Sequence, residues 1–385
     1  MKICLLTTSF PRYKGDFAGN FLLDQSKELK KQGIRISIIA PHSDGFPREE
    51  EISGIKIKRF VYMVPFKLQR VAYSGGIVGN LKKIGAILEL PLFLAAFIIS
   101  GIRMAKEVDI FHAQWAQTAI IARLIKFFSG KKYLVTVLGS DVDVFARVGI
   151  LKVLTEWGLR DAEWVIAGNE YLETRLKKLS IDKRKIVKIN MGVGGIEEFL
   201  QIKENYDSKK FLFLGRISPE KNLRLVIESV SQINKNIEFQ LVVIGDGPEK
   251  EEMENLVNRL DLIGKVEFLG SKPREKVLEI FEEVGFLVLP QKRGGFGIAV
   301  LEAMAASRPP ILGNIPGVDE IIKDGYNGLL VPTSNSERLT EAIESLLVDK
   351  NLRSQLAKNA KALASLFTWE KHCRLLVGFY SEVVK

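Results

Sequence analysis

The sequence predicts an α/β protein built from two doubly wound domains, each with a parallel sheet covered by helices on both faces. Short, almost fully apolar stretches alternate with amphipathic ones along the chain, as expected for parallel strands that helices bury on both sides. The alternation breaks once, around Gly192–Asp207, and then restarts. At 385 residues, 46% hydrophobic and 26% charged, the chain is too long for one ordinary core.

The first half contains the expected strand and helix signals in order. Predicted strands are Lys2–Thr8, Ile34–Ala40, Asp109–His112, Tyr133–Leu138 and Trp164–Ala167, and Phe21–Gln32 is a predicted helix that Gly33 ends. Gly192–Asp207 is interpreted as the linker. In the second half the predicted strands are Phe211–Leu214, Phe239–Ile244, Val266–Leu269, Phe286–Leu289 and Pro310–Leu312, and the predicted helices include Asn222–Ile233, Glu249–Leu260 and Ile298–Ala306.

Composition limits the class of protein. The net charge is +10, and residues 1–200 hold 31 Lys+Arg against 20 Asp+Glu, so the whole excess lies in the first half. A basic face suits an anionic membrane, a phosphorylated lipid or a nucleic acid, and ordinary solvation is an equal alternative. No nucleic-acid module is recognisable, so no nucleic-acid partner is expected. Only three histidines and two cysteines are present, Cys4 and Cys373, without metal-ligand spacing; this predicts a reduced, cytoplasmic protein and no zinc site.

One segment, Ile84–Ile102, is nearly long enough to span a bilayer, although Glu89 and Pro91 interrupt it. Three interpretations remain open: a spanning helix, a buried helix, or a helix lying in the membrane interface with basic flanks on the headgroups. No secretory signal is expected, because Met1–Thr8 is too short for a hydrophobic signal core and is typical of a buried strand.

In doubly wound folds ligands bind beyond the carboxyl ends of the strands, so the strand-to-helix turns are the candidate sites. The first turn, Ser9–Asn20, carries Gly19 but lacks the dinucleotide fingerprint. The turn that starts at Gly215 carries Arg216 and Lys221, a bidentate fork and a point charge that together suit a diphosphate. A solvated turn is the simpler alternative.

The second strong turn, Leu289–Ala306, is rich in glycine immediately before a helix. Free backbone amides at the positive end of a helix bind anions. Glu302 follows just over one turn into that helix, within reach of a ligand hydroxyl; a capping or ion-paired carboxylate is the alternative.

These motifs occur in a specific order: Gly215-Arg216…Lys221-Asn222, Gly245-Asp246-Gly247-Pro248, Gly295-Phe296-Gly297-Ile298…Glu302-Ala303, Pro316-Gly317…Glu320 and Gly325…Gly328. The set resembles the retaining glycosyltransferases of the GT4 family, which have the GT-B fold of two Rossmann-like domains facing a central cleft. The resemblance covers essentially the whole chain. It implies an acceptor domain at 1–200, a nucleotide-sugar domain at 201–369, and a final helix, 370–385, returning to the first domain.

The resemblance also implies site residues and chemistry. Arg216 and Lys221 would hold the donor diphosphate as catalytic cations, and Glu302 would bind the ribose hydroxyls. The pocket would further include Gly19, Gly215, Gly294, Gly295, Phe296, Gly297 and Ile298. Asp141 would orient the acceptor hydroxyl, with helix capping as the alternative, whereas His112 is expected to be structural. No metal or other cofactor is expected, and the acceptor would be a glycan or a lipid-linked molecule.

Two positions depart from the family pattern. Leu138 stands where the family has a His before Gly-Ser-Asp, and Gly294 stands where it has a Glu eight residues before Glu302. Both missing groups address the donor sugar. Two interpretations follow. One is a hexosyl- or pentosyltransferase for a sugar that lacks the matching hydroxyl, and the other is a degenerate protein that binds nucleotide sugar but needs a partner subunit or has lost activity. A 2-epimerase of the same fold is disfavoured, because it needs several acid/base groups near the sugar.

Overall fold

The computed structural model describes residues 1–13, 16, 18–73, 80, 84–138, 149–293 and 297–384. Its strands are β1 (Lys2–Leu6), β2 (Arg35–Pro41), β3 (Glu49–Ile52), β4 (Ile55–Phe60), β5 (Ile110–Gln114), β6 (Tyr133–Val137), β7 (Trp164–Ala167), β8 (Ile186–Lys188), β9 (Lys210–Leu214), β10 (Gln240–Ile244), β11 (Val266–Gly270), β12 (Leu287–Leu289), β13 (Pro310–Gly313) and β14 (Leu329–Val331).

The helices within the described residues are α1 (Asn20–Lys31), α2 (Ile84–Met104), α3 (Thr118–Ser129), α4 (Gly149–Arg160), α5 (Glu170–Leu176), α6 (Ile196–Leu200), α7 (Leu223–Val230), α8 (Lys250–Arg259), α9 (Arg274–Glu283), α10 (Ile298–Ala305), α11 (Ser336–Val348), α12 (Lys350–Ala364) and α13 (Trp369–Val384). Three short 3-10 turns lie at Phe66–Leu68, Lys183–Lys185 and Val318–Glu320.

The chain divides into two compact units. Unit 1 comprises Met1–Gly194 and Trp369–Lys385, and unit 2 comprises Gly195–Thr368. The sequence had placed the boundaries at 200/201 and 369/370, so the structure moves the start of unit 2 a few residues toward the amino terminus.

Unit 1 is built on an eight-stranded sheet in the order β3-β4-β2-β1-β5-β6-β7-β8. Every pair in it is parallel except the hairpin of β3 with β4. The central strands are mostly apolar and mostly buried, and in β5 and β6 all five residues are buried. Because neither face of these strands meets water, helices must cover both sides of the sheet.

The helix α13 belongs to unit 1 although it follows unit 2 in the chain. It packs against α1, and its Tyr380 hydroxyl lies 2.6 Å from Nδ1 of the fully buried His112. Nε2 of His112 lies 2.7 Å from Oγ1 of Thr136. On the same helix, Nε2 of His372 lies 2.9 Å from Nε2 of Gln25 and Nδ1 lies 2.9 Å from the carbonyl oxygen of Asn190. His112 therefore holds the fold together, in agreement with the expected structural role.

Burial of these imidazoles predicts acid sensitivity. Burial lowers the pKa of His372 to about 4 and that of His112 to about 3, whereas the unfolded chain titrates near 6.5. Since the unfolded state then binds more protons, stability is complete above pH 6.5 and is lost as the pH falls below it. His372→Gln is expected to remove about 1–2 kcal/mol of the stability loss between pH 6.5 and 5.0, as measured by urea unfolding. An unchanged pH dependence would contradict the neutral, buried state of His372.

Unit 2 is built on a six-stranded parallel sheet in the order β11-β10-β9-β12-β13-β14. Its chain moves outward from β9 to β11 on one side and then crosses back to place β12 on the other side of β9. The strand order therefore reverses between β9 and β12, and the carboxyl ends of these two strands flank that point.

The predicted linker, Gly192–Asp207, is instead largely a structured part of unit 2. It contains α6, and the Phe199 ring packs edge-on against Phe281 with centroids 5.3 Å apart. Two fully buried arginines hold the rest of the segment through its carbonyl groups: Arg308 donates to Lys203 at 2.9 Å, and Arg353 donates to Ser208 at 2.7 Å and also to Tyr206. The arginine contacts join residues more than 100 positions apart, so local periodicity could not reveal them.

Candidate functional site

The candidate site lies at the strand-order reversal of unit 2, where connections leave the carboxyl ends of β9 and β12. Leu287 of β12 pairs directly with Leu212 of β9, so these connections begin side by side. One is Gly215–Asn222 and the other runs from Pro290 to α10. In open parallel sheets this crevice is where ligands bind.

The turn after β9 packs closely against the turn after β10. A Cβ atom on Gly245 would lie 1.9 Å from the carbonyl oxygen of Gly215, and one on Gly247 would lie 2.1 Å from that of Ile217. Any side chain at Gly245 or Gly247 would displace the turn that follows β9. The Gly-Asp-Gly-Pro motif thus fixes the backbone on either side of Arg216. The Arg216 side chain is exposed, and within the described residues it forms no hydrogen bond or ion pair.

Lys221 is half-buried and points across to the second connection. Its Nζ donates a hydrogen bond of 2.8 Å to Oε1 of Gln291, and it lies 4.0 Å from the position that a Cβ on Gly297 would occupy. Burial lowers the pKa of Lys221, partly offset by the charge of Glu220. The ammonium therefore lies next to the start of α10, in a place where an anionic ligand would restore its lost solvation.

Neighbouring residues join the two connections. Asn222 is buried in the left-handed conformation, with φ 63°, and its Nδ2 donates to the carbonyl oxygens of Pro290 at 3.0 Å and Thr333 at 2.9 Å. The backbone of Lys292 donates to the Glu220 carbonyl at 2.8 Å, and an exposed ion pair links Arg293 to Glu220. The position of Lys221 is therefore fixed by bonds on both sides of it.

Glu302 lies one turn into α10 and is 9% exposed. Its Oε1 is 3.2 Å from Nη1 of Arg274, at the start of α9. Burial raises the pKa of Glu302, and Arg274 opposes this shift. Arg274 in turn contacts Glu198 of α6 at 3.2 Å, and its guanidinium carbon lies 4.8 Å from the Phe199 ring centroid. Nη2 of Arg274 is buried and has no hydrogen-bond partner within the described residues.

The structure places most of the predicted donor residues on these two connections. They are Gly215, Arg216, Lys221, Gly297, Ile298 and Glu302. Gln291 and Arg274 were not predicted. Gln291 lies two residues beyond the end of its strand, a position that already marks a residue as a candidate for the site. Arg274 is 28 positions from Glu302, and no sequence pattern links the two.

The remaining predicted residues belong to unit 1 or lie outside the described residues. Gly19 precedes α1, and a Cβ there would lie 2.4 Å from the carbonyl oxygen of Ser9, so close packing already explains a glycine at this position. Leu138 follows β6 at the carboxyl edge of its sheet. Asp141, Gly294, Gly295 and Phe296 lie outside the described residues. Within the described part of the chain, no group of three or more His, Cys, Asp or Glu side chains is arranged to hold a metal ion.

The chain matches two family models that follow one another along it. Residues 18–194 match the model described as Glycosyltransferase Family 4, and residues 195–363 match the one described as Glycosyl transferases group 1. Together with the two parallel-sheet units, these matches define a glycosyltransferase of the GT-B fold. The chain belongs to glycosyltransferase family 4, as its motifs predicted.

Two relatives align with nearly the whole length of the chain. An uncharacterized glycosyltransferase of Methanocaldococcus jannaschii is 27% identical over 351 residues, covering 90% of this chain and 97% of that protein. The N,N'-diacetylbacillosaminyl-diphospho-undecaprenol alpha-1,3-N-acetylgalactosaminyltransferase of Campylobacter jejuni is 25% identical over 395 residues, covering 98% of both chains.

Among solved structures, the Anabaena protein HepE in complex with UDP superposes with a TM-score of 0.74 at 17% identity. The superposition covers 99% of this chain and 100% of HepE. At this level of identity the likeness concerns the fold, which confirms the predicted pair of Rossmann-like sheets.

Proposed function

We propose that this glycosyltransferase transfers a hexosyl or pentosyl group from a nucleoside-diphosphate sugar, with retention of configuration and without a metal ion. The observation that carries the proposal is the position of Lys221. Its ammonium is partly desolvated, held by Gln291 and adjacent to the start of α10 at the strand-order reversal. The UDP in the HepE complex supports a nucleotide donor by analogy of fold.

In this proposal cations and backbone amides do the work that a metal ion does in other transferases. Lys221 and the exposed Arg216 bind the diphosphate, and the partial positive charge at the amino end of α10 attracts it further. Negative charge grows on the diphosphate as it leaves, so fixed positive groups stabilise the transition state more than the ground state. Glu302 accepts hydrogen bonds from the ribose hydroxyls.

Retention is proposed to occur on one face of the sugar. The bond from the anomeric carbon to the diphosphate oxygen breaks, and the bond to the acceptor oxygen forms on the same side. The acceptor hydroxyl transfers its proton to the departing phosphate. No separate general base is then required, and Asp141 orients the acceptor hydroxyl.

Leu138 and Gly294 support a donor with fewer hydroxyls than glucose, such as a 6-deoxy sugar or a pentose. Burying a hydroxyl against an apolar side chain without a partner costs roughly 1–3 kcal/mol. The same two positions support the second candidate, a degenerate transferase that binds nucleotide sugar and acts only with a partner subunit. Robust transfer by the purified chain alone would exclude that candidate, and exclusive use of ordinary hexoses would exclude the deoxy-sugar proposal.

The acceptor is proposed to be a lipid-linked or surface glycan assembled on the cytoplasmic side of a membrane. The name of the Campylobacter jejuni relative specifies a diphospho-undecaprenol acceptor, which supports this class.

Thermal shift measurements with UDP-, GDP-, ADP- and dTDP-sugars test the donor. A donor at 100 times its Kd stabilises the folded state by about 2.7 kcal/mol, which raises Tm by about 5–10 °C in a domain of this size. We expect one nucleotide to give this shift with EDTA present and Arg216→Gln to abolish it. If no nucleotide sugar or nucleoside diphosphate shifts Tm, the proposed donor class is wrong.

A further inference from the structure

The helix α2 has one face built into unit 1. Its buried residues recur every three or four positions, at Ala86, Glu89, Phe93, Phe97 and Gly101. The ring of Phe97 stacks on Phe60 of β4 with centroids 4.5 Å apart. This face therefore packs on the sheet as an ordinary core helix does.

The opposite face of α2 is also apolar, and it is exposed. Ile84 is 76% exposed, Ile87 50%, Leu88 74%, Leu92 50% and Ile99 48%. We call these five residues the outer face. An 18-residue window of α2 has a mean hydropathy of 2.1, yet only 28% of it is buried. A continuous exposed apolar surface of this kind marks a site of contact with a protein or a membrane.

Length alone would let α2 span a bilayer, but its contacts oppose this. The buried carboxylate of Glu89 accepts a hydrogen bond of 2.8 Å from the backbone of Arg70. Phe93 and Phe97 are at most 2% exposed within the core. A spanning α2 would break these contacts and uncover the sheet. The arrangement instead fits a helix that lies flat in an interface with one face in the protein.

A second helix of unit 1, α4, also exposes apolar side chains. Ile150 and Val153, near the start of α4, are 72% and 63% exposed. Helices α2, α3 and α4 pack side by side, and each leads into a strand of the parallel sheet. Their amino ends therefore lie toward the carboxyl edge of that sheet, the edge where a doubly wound domain binds its ligand.

Positive charge lies near the carboxyl end of α2 and also flanks its other end in the sequence. Arg103 and Lys106 are exposed near the carboxyl end of α2, and Lys82-Lys83 precede it in the sequence. Beside Lys106 lies an open concavity of about 620 Å³, with lining cations Lys2, Lys30, Arg35 and Lys56 and a single carboxylate, Glu107. A second copy of the chain would bring these like charges together, whereas an anionic bilayer attracts them.

We propose that the outer face of α2 inserts into the headgroup region of an anionic membrane, with the helix axis parallel to the surface and the basic residues on lipid phosphates. The amino end of α2 lies at the carboxyl edge of the unit 1 sheet, so this edge is held beside the bilayer surface, where a lipid-linked acceptor would be. Membrane binding does not depend on the donor chemistry proposed above, so the two can fail separately.

The test is flotation of the purified full chain with vesicles of phosphatidylcholine and phosphatidylglycerol at 7:3, and with phosphatidylcholine alone. Leu88→Ser/Leu92→Ser is expected to weaken binding to anionic vesicles at least tenfold, because two inserted side chains are lost. Arg103→Gln/Lys106→Gln should weaken it roughly fivefold per cation on anionic vesicles only. The matched control is Ile263→Ser/Val348→Ser in unit 2, whose side chains are 73% and 67% exposed and should not matter.

Hydrogen exchange of the wild-type chain gives an answer independent of the variants: added anionic vesicles should protect α2 and the start of α4. The proposal is overturned if the wild-type chain does not float, if Leu88→Ser/Leu92→Ser floats equally well, or if that variant instead dissociates a dimer in sedimentation experiments. None of these outcomes should change the thermal shift caused by nucleotide, so failure of the membrane proposal can be told apart from failure of the donor proposal.

Discussion

Lys221→Met is expected to lower kcat by about 10²–10³-fold while the protein stays folded. The ammonium is placed to meet the charge that develops on the leaving diphosphate, and loss of one such preorganised group typically costs this much. Because Met keeps the length of the stem, packing between the two connections changes little. Initial rates with a saturating donor separate this effect on kcat from an effect on KM.

Two further variants make the Lys221 prediction specific. Lys209→Met removes an ammonium that likewise donates to a single oxygen, the carbonyl of Leu347, and it should leave kcat unchanged. Gln291→Ala removes the oxygen that holds Lys221 and should have an intermediate effect. If Lys221→Met turned over at the wild-type rate, the diphosphate would have to bind elsewhere.

Glu302→Ala is expected to weaken binding of the nucleoside diphosphate by about 10–100-fold. Hydrogen bonds to a charged group contribute about 1.5–3 kcal/mol, and Glu302 is buried where water cannot replace it fully. Calorimetry with the nucleotide that shifts Tm measures this directly. A nucleotide without both ribose hydroxyls should bind the wild-type protein about 10–100-fold more weakly than the complete nucleotide does. Its affinity for Glu302→Ala should differ little from that of the complete nucleotide.

Arg274→Gln is the companion variant for this cycle. It leaves the carboxylate in place but removes the ion pair at 3.2 Å, so the pKa of Glu302 should rise further. Nucleotide binding should then weaken as the pH is lowered, more steeply than in wild type. If the ribose hydroxyls contributed equally to binding in wild type and Glu302→Ala, Glu302 would not be their partner.

The sequence predicted the mainly apolar strands and missed strands that are charged or very short. The central strands of both sheets lie within about two residues of their predicted bounds. β3 was missed because Glu49–Ile52 is mostly charged and lies at the edge of the sheet. β4 was missed although its alternation of apolar and basic residues is a strand signal. β8 and β14 have three residues each, too few to show a period, and unlike the three-residue β12 they are not fully buried.

The candidate site divides in the same way. The sequence singled out Arg216, Lys221 and Glu302 because they lie in strand-to-helix turns or just inside the helix that follows. Gln291 and Arg274 act through contacts with residues 70 and 28 positions away, which depend on how strands and helices pack. Sequence reasoning can thus name the residues that would touch the ligand more readily than those that hold them in place.

The return of α13 to unit 1 has a consequence for synthesis of the chain. The ribosome makes all of unit 2, Gly195–Thr368, between the last strand of unit 1 and the helix that covers it. At 5–20 residues per second this takes roughly ten to thirty seconds. Throughout that time His112 lacks Tyr380, and the surface that α13 will cover is open to water and to chaperones. Synthesis of unit 2 is therefore finished before the helix that completes unit 1 has been made.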